Sequence, residues 1–334
     1  MRRLVWLLAV FALLWGGWWY FASTSLKNGL EEWLQDRRSA GWQAEVTEIH
    51  SGGFPFALTA SLLNPQLADP QTGVAFATTA LDIEAPVWWP GYVTVLLPSD
   101  PLLFAGPEGR RSIEADAARA DLRLHPGTAL EVQELAFISG GWSLSAPDGS
   151  LMAAQALTLR MAQAEGTPAR YDFTLDAPAF EPGNLPRRSL RIPADWPLAF
   201  ESLALDATVD FDRPFDRHTI ETARPQPRRI DLRLAEAAWG QLLLRVSANL
   251  EINGAGLLDG EVSLQARNWQ DMLTLAVRSG NLPEQLRPQL ESILAALARG
   301  GGNPDAIDVT LTLRKGNIFL GFIPLGPAPR LVLR

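Results

Sequence analysis

The sequence predicts a mainly β protein: a large antiparallel sheet, curled or sandwich-like, with a few helices and one transmembrane helix at the amino terminus. Three observations predict this class. Apolar and polar residues alternate from residue 42 onward, short turn sequences separate the alternating segments, and one long uncharged segment opens the chain. Alternation places the side chains of a strand on two opposite faces. Because helical crossovers between the strands are scarce, we expect the strands to be antiparallel.

The amino-terminal segment is a predicted membrane anchor. From Leu4 to Ala22 no residue is charged, and a helix of that length reaches about 28 Å, close to the roughly 30 Å hydrocarbon core of a bilayer. Arg2 and Arg3 precede it, where the positive-inside rule places the cytoplasm, and aromatic residues typical of a membrane interface lie at its far end. These aromatic residues are Trp15, Trp18, Trp19 and Tyr20. We therefore expect the rest of the chain on the opposite side of the membrane.

A cleaved secretory signal is the alternative interpretation of this segment. Such signals share the charged start but have a shorter apolar region and a cleavage site of small residues. The small residues 22–25 offer a weak site of this kind. In both cases the body of the protein is exported, and the total absence of cysteine is compatible with an oxidising compartment.

The chain divides into four predicted parts. Residues 1–23 are the anchor, and residues 24–41 form an amphipathic connecting helix that either packs on the sheet or lies on the outer leaflet. Residues 42–180 form a first β-rich half, and residues 181–334 form a second half that contains a helix at 283–299. The connecting helix carries its apolar side chains on one predicted face: Leu26, Leu30, Trp33 and Leu34.

The second half contains the clearest strand pattern. From Glu201 to Phe211, apolar side chains occupy every second position and Asp206 and Asp210 point to the other face. The predicted helix begins after Pro283 and ends at the glycines 300–302. Pro/Arg-rich stretches near residue 180 interrupt the pattern, so we place the boundary between the two halves there.

The charge and the motifs argue against several classes of function. The net charge is -8, and it becomes -8 - 2 = -10 without Arg2 and Arg3, so nucleic-acid binding is not expected. His50, His125 and His218 are isolated from one another in the sequence, and the motifs of phosphate-binding loops, nucleophile elbows and dinucleotide sites are absent. We therefore predict no catalytic residue, no cofactor and no metal. A hydrolase built on converging carboxylates is the third interpretation, behind two non-enzymatic ones.

Two groups of side chains are candidate contacts for a ligand or a membrane. Trp88, Trp89 and Tyr92 lie in an apolar stretch flanked by prolines, and they enter a membrane interface, line a ligand entrance, or belong to an ordinary core. The second group consists of arginines that either bind an anionic headgroup or are solvated loop charges. These arginines are Arg187, Arg188, Arg191, Arg224, Arg228 and Arg229.

The amount of apolar strand surface motivates the functional hypotheses. Each large aliphatic side chain removed from water contributes about 1.5–3 kcal/mol, so the apolar faces of so many strands must be covered. Two or three helices cannot cover them all. The sheet therefore packs on another sheet, closes on itself, or forms a groove that receives an apolar molecule. The leading hypothesis is a protein that binds or helps to transport lipid or another amphipathic molecule, and the alternative is a scaffold with a filled core and no ligand.

Three segments carry a resemblance to a known family. They are residues 51–58 (Ser-Gly-Gly-Phe-Pro-Phe-Ala-Leu), residues 256–260 leading to Asn268 and Trp269, and the closing residues 321–329. In this order the chain resembles the bacterial domain of unknown function 2125, which is uncharacterised. More distantly it is similar to AsmA-type envelope proteins, which implies anchoring in the bacterial inner membrane, a β-rich body in the periplasm, and lipid or another envelope protein as partner.

Overall fold

The structure is a computed structural model that describes residues 2–221 and 224–333, and it confirms the mainly β class with large antiparallel sheets and few helices. In the described residues the chain forms two compact units. Unit 1 comprises the chain up to Pro126 together with Phe137–Pro147, and unit 2 comprises Gly127–Ala136 together with the chain from Asp148 onward. These bounds differ from those of the predicted halves, 42–180 and 181–334.

The helices of the described residues are one long helix and four shorter ones. They are α1 (Arg2–Ser39), α2 (Asn184–Ser189), α3 (Arg217–Glu221), α4 (Trp269–Arg278) and α5 (Arg287–Gly300). The predicted helix at 283–299 corresponds to α5 and a preceding 3₁₀ turn at Glu284–Leu286. The predicted anchor and the predicted connecting helix lie in the single continuous helix α1. Helix α4 was not predicted.

The strands of unit 1 enter two antiparallel sheets two at a time, so that successive hairpins alternate between the sheets. One sheet has the order β2-β3-β6-β7-β10, and the other has the order β1-β4-β5-β8-β9-β12. The strands up to β12 belong to this unit, except that β11 has residues in both units. Their bounds are β1 (Gln43–Glu45), β2 (Glu48–Gly52), β3 (Ala57–Leu63), β4 (Gln66–Asp69), β5 (Val74–Ala77), β6 (Ala80–Pro86), β7 (Tyr92–Leu96), β8 (Leu102–Gly106), β9 (Gly109–Ala115), β10 (Arg119–Leu124), β11 (Val132–Ser139) and β12 (Trp142–Ala146).

The second part of α1 packs on the strands of unit 1. It contacts β1, β2 and β3, and Leu34 is buried while Leu26 and Leu30 are half-buried. Trp33, which was predicted on the same face, is exposed and lies near the guanidinium of Arg37. At the end of the helix, Arg38 Nε donates to the carbonyl of Ala44 at 2.6 Å. Of the two interpretations of the connecting helix, the structure favours packing on the sheet.

Unit 2 is built on a run of long antiparallel strands. Nine strands pair in the order β14-β15-β17-β18-β19-β20-β21-β22-β23, and β13 pairs with β16. Their bounds are β13 (Gly149–Ala154), β14 (Leu157–Gln163), β15 (Arg170–Asp176), β16 (Glu181–Pro182), β17 (Ser202–Phe211), β18 (Pro227–Trp239), β19 (Leu242–Ile252), β20 (Leu258–Arg267), β21 (Ala306–Arg314), β22 (Asn317–Leu320) and β23 (Ile323–Pro327).

Two clusters of buried side chains cover the apolar face of these strands. In one, α4 and α5 place Trp269, Leu273 and Ala298 over Ala266 and Ile307. In the other, side chains of β19 to β21 pack together, and the chain after β23 returns over them with Ala328 and Leu331. Unit 2 therefore covers much of its apolar face with its own side chains.

Candidate membrane-contact site

The aromatic end of the predicted anchor lies against the body of unit 1. The indole Nε1–H of Trp15 donates to the carbonyl of Pro55 at 2.9 Å, and that of Trp19 donates to the carbonyl of Ala57 at 2.7 Å. Trp18 donates in the same way to the carbonyl of Val87 at 3.2 Å. Tyr20 is exposed. From Trp15 onward the helix thus contacts the β-rich body of unit 1, and its indoles donate hydrogen bonds to three backbone carbonyls of that body.

These carbonyls lie at one end of the sheet, in the turn between β2 and β3 or at the first residue of β3, and in the turn between β6 and β7. Gly53 permits the first turn, because its φ is +96° and a Cβ would come within 2.6 Å of the carbonyl oxygen of Ala57. The amide of Val87 donates to the carbonyl of Phe56 at 3.0 Å and joins the two turns. The amides of Ala57 and Val87 and the three carbonyls that accept from the indoles are therefore paired although the turns lie at the surface.

Exposed aromatic side chains project from the same two turns. Phe54 is 61% exposed, and Phe56 and Trp88 are each 66% exposed. The ring of Phe54 packs edge-on against that of Trp19, with 5.4 Å between the ring centroids. We call Phe54, Phe56 and Trp88 the aromatic edge. The segments 53–57 and 86–92 that carry it contain no charged residue.

The structure separates the three aromatic residues that were predicted to act together. Trp88 is exposed, whereas Trp89 is half-buried, packs its ring on Gly91 and donates from Nε1 to the carbonyl of Leu124 at 3.4 Å. Tyr92 is partly exposed, and the guanidinium of Arg123 lies 5.8 Å from its ring centroid. Trp88 and Tyr92 are available for contact at the surface, and Trp89 has a structural role.

A cleft of about 380 Å³ lies beside the aromatic edge. Phe56, Trp88 and Tyr92 form its apolar part. Its polar part is formed by Glu84, Asp121 and Arg123, and the hydroxyl of Thr94 donates to Asp121 at 2.7 Å. The surface therefore changes from uncharged and aromatic to charged within the length of this cleft.

A second concave surface of unit 1, of about 430 Å³, lies on the sheet that contains β4, β5 and β8. Directly paired residues of antiparallel strands share a face. The pairing therefore aligns Ala68, Ala75 and Ala105 in one row, with Gln43 at one end of the row and Arg110 at the other. We call this surface the alanine groove.

The neighbouring row of the alanine groove has the same orientation. It runs from Glu45 through Gln66 and Ala77 to Leu103, which is 56% exposed. Strands lie about 4.8 Å apart, so the five strands from Gln43 to Arg110 span about 19 Å. The volume falls in the range of about 300–1,000 Å³ that is typical of small-molecule sites. The alanine groove offers an apolar floor with charged or polar side chains at both ends.

The predicted arginine clusters interact with groups of the protein. The guanidinium of Arg187 donates to the carbonyls of Pro193, Trp196 and Pro197 and lies over the ring of Trp239, so it holds the loop 193–197 in place. Arg188 donates to the carbonyl of Asp148 at 3.5 Å.

The other arginines of this group lie in different parts of unit 2. Arg228 and Arg229 form ion pairs with Asp212 and Glu251, at 3.7 Å and 2.7 Å. Arg191 and Arg224 are exposed. The structure gives four of the six arginines a partner within the protein, which weakens the case for a common headgroup site.

Three acidic residues of the strands of unit 2, Asp206, Asp210 and Glu236, are likewise paired within the protein. The guanidinium of Arg170 bonds both carboxylate oxygens of Asp210 and holds the pKa of that carboxyl below its ordinary value of 3.8. Arg233 lowers the pKa of Asp206 in the same way. Hydrogen bonds from Ser202 and Arg245 lower the pKa of Glu236. A catalytic acid would need a raised pKa, so these carboxylates are suited to ion pairing.

The sequence did not reveal the alanine groove. The alternation in β4, β5 and β8 is short, and each alanine is compatible with either face of a strand. Only the strand pairing brings the alanines into one row. The signal for the bound tryptophans was stronger, because Trp15, Trp19, Leu26, Leu30 and Leu34 recur at helical spacing.

Comparison with known proteins supplies a family. A search of the curated proteins finds no match to the chain. The family described as an uncharacterized protein conserved in bacteria, domain of unknown function 2125, matches residues 19–329, and the chain belongs to this family.

Proposed function

We propose that the chain is a non-enzymatic protein, anchored by α1 in the bacterial inner membrane, whose periplasmic body binds or helps to transport a lipid or a similar amphipathic molecule. Helix α1 supports the anchoring, because it is long and apolar enough to cross a membrane and its most apolar segment is not buried in the structure. Its continuity with the helix that packs on the sheet favours an anchor over a cleaved signal: Ser23, at the weak cleavage site, is buried.

The alanine groove is the observation that carries the lipid-binding part of the proposal. It is apolar, open to solvent and located in the same unit as the anchor. Ala68, Ala75 and Ala105 contribute only small side chains to its floor, and the lining also includes Phe76 and Phe104. Leu103 exposes apolar surface beside them. A hydrocarbon chain would remove this surface from water, while Arg110 would lie near an anionic headgroup.

The test is photo-crosslinking of the full-length protein, reconstituted in vesicles, with a phosphatidylglycerol that carries a diazirine in its acyl chain. We expect crosslinked peptides from β4, β5 and β8. The variant Ala75→Trp fills the groove, so it should exclude the acyl chain and the groove crosslinks should be lost.

The matched control is Ala146→Trp, a half-exposed alanine of β12 in the same unit and outside the groove. It should leave the crosslinks unchanged. Crosslinks that occur only in α1, or that persist in Ala75→Trp, would contradict lipid binding in the groove.

An interaction scaffold is the second candidate function, and the hairpin of β22 and β23 favours it. Phe322 at the hairpin tip is 98% exposed, and Ile323 and Leu325 follow it at the surface. Pro324 and Pro327 lie in the outer strand and lack the amide hydrogens that strand addition needs, so a partner would bind the side chains. A scaffold predicts that the intact chain purifies without lipid and that Phe322→Ser abolishes crosslinking to an envelope protein.

A further inference from the structure

The position of the three bound tryptophans limits how far α1 can extend from the body of the protein. Leu4 and Trp15 are eleven positions apart, which is about 16 Å of helix, and the hydrogen bonds to the turns of unit 1 begin at Trp15. The hydrocarbon core of a bilayer is about 30 Å thick. The free part of an upright helix, from Leu4 to Trp15, therefore spans about 16 Å of the core and leaves about 14 Å uncovered. If the helix is tilted, the uncovered part is larger.

The rest of the membrane thickness must then be occupied by the part of α1 that lies beside unit 1. Its outward side is suited to this position: Tyr20 and Phe21 are exposed, and no charge occurs from Trp15 to Leu26. Phe21 lies about 9 Å further along the helix axis than Trp15. The helix thus continues to present an apolar surface where it runs beside the body.

The end of unit 1 that lies beside this part of α1 is aromatic and uncharged, as expected of a surface that inserts into a membrane. Phe54, Phe56 and Trp88 project from it, and the segments that carry them are uncharged. An exposed backbone carbonyl is costly in a membrane, where water cannot pair it. Here the carbonyls of Pro55, Ala57 and Val87 accept hydrogen bonds from the indoles of α1. Charged residues begin at Glu84 and Arg123, on the far side of the cleft.

We propose that the aromatic edge, Phe54, Phe56 and Trp88, inserts into the membrane leaflet that faces the β-rich body. Helix α1 and the two turns then enter the bilayer together. The partner of this surface is the lipid bilayer itself. The expected depth of insertion lies between about 9 Å, the rise from Trp15 to Phe21, and about 14 Å, the part of the core that the free helix does not cover. This is close to the 5–10 Å by which interfacial helices enter a membrane. This inference rests on the anchoring role of α1 in the proposed function and is independent of the alanine groove.

Because the chain contains no cysteine, single-cysteine variants allow the depth to be measured on the full-length protein. The variants Phe56→Cys and Trp88→Cys, at exposed positions, carry an environment-sensitive fluorophore. The vesicles contain phosphatidylethanolamine and phosphatidylglycerol, with a nitroxide quencher on the acyl chains of part of the lipid. Ser99→Cys, exposed beyond the other end of β7, is the matched control. Leu13→Cys reports on the anchor.

We expect loss of fluorescence for the probes at 56, 88 and 13 and none for the probe at 99. Probes at 56 and 88 that behave like the probe at 99, while the probe at 13 is quenched, would overturn insertion of the edge and leave the anchor intact. An unquenched probe at 13 would overturn the anchor itself. Circular dichroism of each labelled variant verifies that the fold is retained.

Discussion

Removing the indole hydrogen bonds of α1 should release the helix from unit 1. In the triple variant Trp15→Phe, Trp18→Phe and Trp19→Phe, each position keeps an aromatic ring and loses the donor to one backbone carbonyl. A hydrogen bond contributes about 0.5–1.5 kcal/mol net, so three independent bonds contribute about 1.5–4.5 kcal/mol. The population with the helix released should therefore rise about 10-fold to 2,000-fold.

Hydrogen–deuterium exchange of the full-length protein in nanodiscs measures this population. The informative amides are those of Ala57 and Val87, which lie in the two turns and donate to Gly53 and Phe56. Their exchange should accelerate in the triple variant. Trp6→Phe is the matched control, because Trp6 is exposed on the free part of the helix. If the triple variant exchanges at the wild-type rate, the indoles do not hold the helix and the estimate of membrane depth loses its basis.

Two further predictions concern unit 2, both measured on the intact chain in detergent micelles. Tyr171 is fully buried and its hydroxyl accepts a hydrogen bond from the amide of Phe215 at 3.1 Å, so Tyr171→Phe should lower the free energy of unfolding by about 1–3 kcal/mol. The exposed Tyr92→Phe should change it by less than about 0.5 kcal/mol, and an unchanged denaturation midpoint for Tyr171→Phe would contradict the role of the bond. Because Arg170 lowers the pKa of Asp210 below 3.8, this pair stabilises the fold above that pH and its contribution is lost as the pH falls through the folded-state value. Thermal melting between pH 7 and pH 3 measures this contribution. As the pH falls, Arg170→Met should lose less Tm than the wild type, and the control Arg267→Met should behave like the wild type. Parallel curves of Tm against pH for all three proteins would refute this.

The fold class was predictable because it depends on local patterns. Strands such as β3 bury every second side chain, and this period is visible in the sequence without knowledge of their neighbours. Helix α4 was missed although Trp269, Met272, Leu273 and Ala276 recur at helical spacing after Asn268. The long alternating strands on both sides of it favoured a continued β interpretation. Its helical form gains stability from packing against α5 and β19, which the sequence does not display.

The candidate sites were less predictable because they depend on contacts between distant residues. The position of the tryptophans at the end of the apolar segment predicts a membrane interface, but their hydrogen bonds to residues 55, 57 and 87 depend on the position of two turns. Trp88 and Trp89 are adjacent and chemically identical, and the turn alone decides that one is exposed and the other is packed on Gly91. The alanine groove depends on strand register, since a shift of one residue would turn its floor to the opposite face.

The most direct test of lipid binding is native mass spectrometry of the intact chain, released from membranes in mild detergent. We predict a population whose mass exceeds that of the protein by one phospholipid, and the loss of this population in Ala75→Trp with its retention in Ala146→Trp. A single species at the mass of the protein alone, obtained under conditions in which a known lipid-binding protein retains its ligand, would contradict lipid binding by this chain.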